Sequence, residues 1–341
     1  MPPAPADESP VPAEFAQALR ELGLAGDDEP LRGTPLAGGV SSDIWRIPTA
    51  RGVVCAKRAL AQLRVAAEWR APVERNEFEA RWMRVAGEAG PGCTPRLLGQ
   101  HPGLGVLAMD YLEPADHPLW KAQLRGGHVD AATARAVARV LVRIHAWSAA
   151  RPGLAAQFAT DDLFFDLRLE PYLLATAARH PALADALERL VAQTKAHRVA
   201  LVHGDVSPKN ILVGPHGPVL LDAECAWWGD PAFDLAFCLN HLLLKCLWRP
   251  TSAGALLDAF DAFAKIYLAG VDWEPRDALE ARAAALLPGL LLARVDGKSP
   301  VEYLARNADR DIVRRATARL LLEPAARLEG VRAAWRGELI V

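Results

Sequence analysis

Residues 1–11 are rich in Pro and Ala, show no hydrophobic period, and predict a disordered tail. Apolar Phe15, Leu19 and Leu22 then recur at helical spacing and predict a short helix over 12–24. Beyond it the texture changes. Apolar runs over 36–47 and 52–56 predict two strands flanking Gly38-Gly39-Val40-Ser41-Ser42. Segment 73–87 carries Phe78, Trp82 and Val85 on one helical face, and 96–99 and 106–111 read as further strands.

After Glu113 the period becomes helical. Val137, Val140, Leu141 and Ile144 share one face over 130–147, with Asp130 placed as N-cap, and 181–194 repeats the pattern. Short apolar runs at 201–202, 211–213 and 219–221 are separated by Ser207-Pro208 and Gly214-Pro215-His216-Gly217, as brief strands carrying loops would be. From Pro231 to about Trp335 nearly everything reads as helix. The expected fold class is α+β with two lobes: a tail and short helix over 1–29, a small lobe over 30–112, and a larger, mostly helical lobe over 113–341. The connection is expected at 112–114.

Composition narrows the function. The chain has 341 residues, 51% of them hydrophobic, enough to bury a sizeable core. Its net charge of −2 has no basic excess, which argues against a nucleic-acid partner. The arginines of 306–319 are interrupted by Asp309 and Asp311 and read as a solvated helix face. Five scattered cysteines with no CxxC pair predict buried free thiols in a reducing compartment. The N-terminus has neither the basic nor the apolar region of a secretory signal, and the longest apolar run, 283–293, is short and holds Pro288. A cytoplasmic protein with no membrane partner is therefore expected. The same run suits either the core or a homodimer interface.

The chemistry is concentrated in 202–240. Asp205 and Asp222 each sit beside a short apolar run, and Asn210 lies between them. A strand that ends in a carboxylate is placing it at a site, because a buried unpaired carboxylate is costly. Phosphoryl transfer needs such a set: one carboxylate to orient a hydroxyl, and an amide plus a second carboxylate to hold Mg2+. His203-Gly204-Asp205 with Asn210, then Asp222-x-Glu224 and Gly229-Asp230-Pro231-x-x-Asp234, resembles the aminoglycoside phosphotransferase and choline kinase group, which shares the protein-kinase fold. The Asp222-Ala-Glu224 form is most similar to the methylthioribose kinase branch, although that branch carries serine where this chain has Asn210. The resemblance covers about 30–330.

The resemblance implies a role for each matching residue. Asp205 would be the catalytic base or hydroxyl-positioning group, His203 would brace its loop, and Asp234 would cap that loop. Asn210 and Asp222 would coordinate Mg2+, and Glu224 would bind a second ion or the acceptor. In the small lobe, Gly38, Gly39, Ser41 and Ser42 resemble the loop that covers the phosphates of ATP, where glycines permit close backbone approach. Lys57 follows Val53-Val54-Cys55-Ala56, where this fold presents a lysine to the α- and β-phosphates. Glu79 is its expected partner, with Glu77 in reserve. Backbone groups of Asp110 and Leu112 would meet adenine. The GxxxxGK[ST] phosphate loop is missing, so nucleotide binding of that type is excluded.

Acceptor recognition is the least defined part. Asp166 and Arg168 lie in a segment mixing charge with aromatics. Trp227 and Trp228 suit either a substrate pocket or core packing. Arg294 and Lys298 suit either an anionic acceptor or the neutralisation of a helix C-terminus. The reading is a Mg2+- and ATP-dependent kinase of a small-molecule hydroxyl: a sugar, thio-sugar or amino alcohol. About a dozen residues separate Asp222 from Asp234, too few for the activation loop of a protein kinase. The alternative class is a catalytically silent nucleotide-binding or scaffold member of the same fold, which would usually have lost the base or a metal ligand. An aminoglycoside is the alternative substrate. It would call for a carboxylate-rich site, whereas Arg and Lys are frequent over 294–336.

Overall fold

The computed structural model describes residues 8–36, 41–62 and 72–339. The first lobe contains β1 (Ser9–Pro10), α1 (Ala13–Glu21), β2 (Arg32–Pro35), β3 (Ser42–Thr49), β4 (Gly52–Ala59), α2 (Arg75–Ala89), β5 (Leu97–His101) and β6 (Val106–Asp110). Its strands form one antiparallel sheet in the order β1-β2-β3-β4-β6-β5.

The two-residue period of β4 divides the work of this sheet. Val54 and Ala56 face α1 and share an apolar cluster with Phe15, Leu19, Ile47 and Val106. Cys55 and Lys57 face the opposite way, toward the interlobe cleft. Helix α1, expected as part of a tail, is thus the backing of the sheet, because Phe15, Ala18 and Leu19 bury against it. Ser9 and Pro10 pair with Gly33 and Arg32, so the expected disorder does not hold for those two residues.

The second lobe contains α3 (Trp120–Arg125), α4 (Ala131–Ala149), α5 (Asp161–Phe164), a π-helical segment (Phe165–Leu174), α6 (Ala175–Arg179), α7 (Ala184–Ala196), β7 (Ala200–Val202), β8 (Ile211–Gly214), β9 (Gly217–Leu220), β10 (Trp227–Gly229), α8 (Ala232–Trp248), α9 (Ala253–Ala269), α10 (Arg276–Asp296), α11 (Asn307–Leu322) and α12 (Leu328–Leu339). Asp130 caps α4 as expected, its Oδ1 accepting the Ala132 N–H at 2.7 Å. Helix α8 is buried over nearly its whole length and forms the central pillar, with α4, α9 and α10 around it. The apolar run 283–293 belongs to α10 and is buried within the chain, which accounts for it as core without an interface.

Besides β1, two strands were not foreseen. β2 contains Pro35, and β10 is the three-residue Trp227-Trp228-Gly229, antiparallel to β7. All five cysteines are free, four of them buried and Cys55 half-buried. Among the described residues no helix is long and apolar enough to cross a membrane.

Candidate active site

A cleft of about 440 Å³ separates the lobes, and Lys57, Glu79, Asp205, Asn210 and Asp222 all line it. Lys57 Nζ lies 2.7 Å from Glu79 Oε2 of α2 and also donates to Asp222 Oδ1, from 165 residues further on. The Glu79 contact is an ion pair outside hydrogen-bond geometry, so Asp222 is the hydrogen-bonded partner. Burial alone would strip the Lys57 proton, but the carboxylates of Asp222 and Glu79 outweigh it and hold the ammonium well above its ordinary range. Burial also opposes the charged form of Asp222, yet Lys57 and Lys209 keep that carboxyl well below its usual value. Glu79 moves the other way: burial raises it, and Lys57 only partly restrains it. Glu77, the reserve partner, pairs with Arg81 instead.

The loop after β7 is tied down from beneath. Asp234, in the first turn of α8, accepts the N–H groups of His203 (2.7 Å) and Gly204 (2.8 Å), and its Oδ2 lies 3.2 Å from His145 Nε2. His145, expected as a satisfied core histidine, bonds Tyr267 through its other nitrogen at 2.6 Å. Gly204 has φ +81°, and a Cβ there would stand 2.9 Å from both Cβ and O of Cys225, so only glycine fits. His203 Nδ1 accepts the Asp205 N–H at 3.1 Å while its Nε2 donates to the Leu221 carbonyl at 3.1 Å. Both ring nitrogens are thereby engaged in bracing, and burial depresses the imidazole pKa.

Asp205 itself is buried, its Oδ2 held by Arg168 Nη2 and Lys209 Nζ at 3.1 Å each. Asn210 donates through Nδ2 to the Asp205 carbonyl at 3.1 Å, and among the described residues its amide oxygen accepts no hydrogen bond. Asp222 is the one non-glycine residue with positive φ, +68°, among the described residues. A left-handed aspartate is tolerated at a cost of order 1 kcal/mol and here turns the carboxylate toward Lys57. Asn210 and Asp222 offer the hard oxygen donors that Mg2+ takes. Glu224 lines the cleft, and Arg75 Nε donates to its Oε2 at 2.9 Å. Arg75 is fully buried and also reaches the carbonyls of Ser41 and Leu60, joining the ends of β3 and β4, α2 and the Asp222 segment.

The remaining expected residues divide. Gly38 and Gly39 lie outside the described residues. Ser41 and Ser42 line the cleft, and Ser42 Oγ is buried without a hydrogen-bond partner. Met109 lines the cleft, whereas Asp110 and Leu112, expected to meet adenine, do not; the Asp110 carboxylate is paired with Arg96 and its N–H donates to the Arg96 carbonyl. Trp227 and Trp228 are core: Trp227 stacks on Phe164 with centroids 4.4 Å apart, and its indole N–H donates to Asp161 Oδ1 at 2.9 Å. Asp166 is exposed and does not line the cleft, whereas Arg168, on the same π-helical segment, does. Lys298 pairs with Glu170 on the surface, and Arg294 lies one layer behind the cleft, bonded to Tyr172 and Ser299. Neither lines it.

Sequence reasoning missed Arg75, Lys121, Tyr172 and Lys209. Arg75 stands four residues before Glu79, hence on its helical face, and Lys209 sits between Asp205 and Asn210. Those two positions were available signals. Lys121 and Tyr172 had none, since they reach the cleft from a short helix and from a π-helical turn.

A model described as "Phosphotransferase enzyme family" matches residues 32–279. The methylthioribose kinase of Cronobacter sakazakii is 27% identical over 251 residues, covering 64% of this chain and 61% of that protein. This chain thus spans a little under two thirds of the length of the curated relatives it matches. The amicoumacin kinase hAmiN, solved with AMP-PNP, Ca2+ and Ami, aligns with TM-score 0.55 at 14% identity, covering 92% of this chain and 95% of that one. A Plasmodium vivax ethanolamine kinase aligns with TM-score 0.52 at 9% identity, covering 96% of this chain and 86% of that one. These two likenesses establish the kinase-like fold.

Proposed function

Because the chain belongs to the phosphotransferase enzyme family, we propose that it is a small-molecule kinase, moving the γ-phosphoryl group of ATP to the hydroxyl of a metabolite. The observation that carries this reading is the convergence of Lys57, Asp222, Asn210 and Asp205 on one cleft. The methylthioribose kinases among its relatives agree with it.

Lys57, steadied by Glu79, serves the triphosphate, and Ser42 Oγ supplies a free hydroxyl beside it. Asn210 and Asp222 would hold Mg2+, which neutralises charge on the phosphate oxygens when bound. Asp205 orients the acceptor hydroxyl. Arg168 and Lys209 on its Oδ2 fix the side chain in place, which suits it to aligning the hydroxyl. The silent-scaffold alternative finds no favouring observation, since base, amide and metal carboxylate are all retained.

The test is Mg2+-dependent ADP release across sugars, thio-sugars, amino alcohols and aminoglycosides, with Asp205→Asn as blank. A compound that stimulates the wild type and not the variant supports the reading. Failure of the wild type to bind Mg-ATP removes it.

A further inference from the structure

The helical-lobe end of the cleft gathers cations with little to balance them. Lys121, Tyr172 and Ser299 line this end. Arg294 stands directly behind, its Nη1 donating to Tyr172 Oη at 3.1 Å and to Ser299 Oγ at 3.0 Å. Lys245, from the apolar pillar α8, holds its Nζ 4.3 Å from the Tyr303 ring centroid and 5.1 Å from that of Trp248. The carboxylate facing this group is Glu302, which pairs with Lys121 from the surface with a side chain 66% exposed.

This charge is buried as well as unbalanced. Lys245 is 2% exposed and Arg294 8%. Burial, with Lys121 and Arg294 nearby, pulls the Lys245 ammonium down to about 7, and burial with the same cations depresses His241. Arg294 Nε, His241 Nε2 and Tyr303 Oη are buried with no hydrogen-bond partner among the described residues. Buried donors and like charges gathered this way are unfavourable alone, and become favourable when an anion is brought to them.

We propose that the phosphoryl acceptor carries an anionic group, a carboxylate or a phosphate, that seats against Lys121, Tyr172 and Ser299 with Arg294 and Lys245 behind it. This rests on the kinase reading above. The acceptor's hydroxyl lies at Asp205 and its anionic group toward Lys121, so a hydroxy acid or a phosphorylated polyol suits the wall. An amino alcohol or an aminoglycoside would set cation against cation.

Two measurements test it. In the first, calorimetry follows inorganic phosphate and acetate binding to protein saturated with Mg2+ and AMP-PNP, in the wild type, Lys121→Glu and Lys245→Met. The expected result is anion binding in the wild type, weakened at least tenfold in both variants, with AMP-PNP affinity unchanged. Preference between the two probes distinguishes a phosphate from a carboxylate. If AMP-PNP binds and neither anion does, the anionic acceptor is overturned and the kinase reading stands; if AMP-PNP does not bind, the kinase reading itself falls. In the second, glycerate, glycerol 3-phosphate, glycerol and choline are compared as acceptors. Highest kcat/KM for an anionic member, with KM raised in Lys121→Glu, supports the proposal. Highest kcat/KM for glycerol or choline overturns it.

Discussion

The two ends of the cleft handle charge in opposite ways. At the Lys57 end every charged side chain has a partner within the protein: Lys57 with Asp222 and Glu79, Arg75 with Glu224, Asp205 with Arg168 and Lys209. At the Lys121 end, Lys121 pairs with the exposed Glu302, but among the described residues Lys245 makes no salt bridge or hydrogen bond and packs on aromatic rings, and Arg294 leaves Nε unbonded. A balanced site is preorganised, so its members contribute by geometry. An unbalanced one is poised for a ligand that brings the missing charge.

The comparison breaks most visibly at Asp205. Asp205→Asn is expected to lower turnover by roughly a thousandfold, about 4 kcal/mol, while AMP-PNP still binds by calorimetry. Near wild-type turnover would deny the balanced end its chemical role. Lys57→Ala should follow, with kcat/KM for ATP down roughly a hundredfold and an unchanged circular dichroism spectrum. Loss of the folded spectrum would make Lys57 a structural residue.

Lys245 sharpens the other side through pH. Its ammonium faces Lys121, Arg294, His241, Glu302, Trp248, Tyr303 and Cys238. With its folded pKa near 7 and its unfolded pKa in the ordinary lysine range, the unfolded chain binds more protons between those values. Stability should therefore rise as pH climbs above 7, by roughly 2 kcal/mol up to pH 9. Urea denaturation of Lys245→Met should show that slope removed; an equal slope in the variant would mean that Lys245 is not the buried unbalanced charge. The smallest effect is expected outside both ends. Trp227→Phe loses the indole bond to Asp161 and should cost about 1 kcal/mol with kcat/KM untouched. A changed kcat/KM would return Trp227 to the pocket.

What the sequence disclosed follows the range of its signals. Lys57 was legible because it follows Val53-Val54-Cys55-Ala56, where the resembled fold presents a lysine, and Asp205, Asn210 and Asp222 because they lie close together in a fixed order. The cap at Asp130 and the long helix after it were legible for the same local reasons. Lys121, Tyr172 and Arg294 come from three distant helices, and no local pattern announces that they meet. Trp227 and Trp228 stayed open between pocket and core because a three-residue strand is too short to show alternation. Lys245 is the one charge within the apolar stretch 235–247, and sequence reasoning passed over it because the rings around it come from other parts of the chain or a later turn.

The carboxylate of Asp234 carries a further consequence. It receives the amides of His203 and Gly204 from a helix buried at the centre of the larger lobe. Freeing those two amides breaks two charge-assisted bonds to a carboxylate that the buried helix holds in place. Their deuterium uptake should match that of the slowest amides in the protein, although they sit two residues and one residue from the cleft-lining Asp205. The loop that handles the acceptor hydroxyl is then among the last parts of the molecule to open.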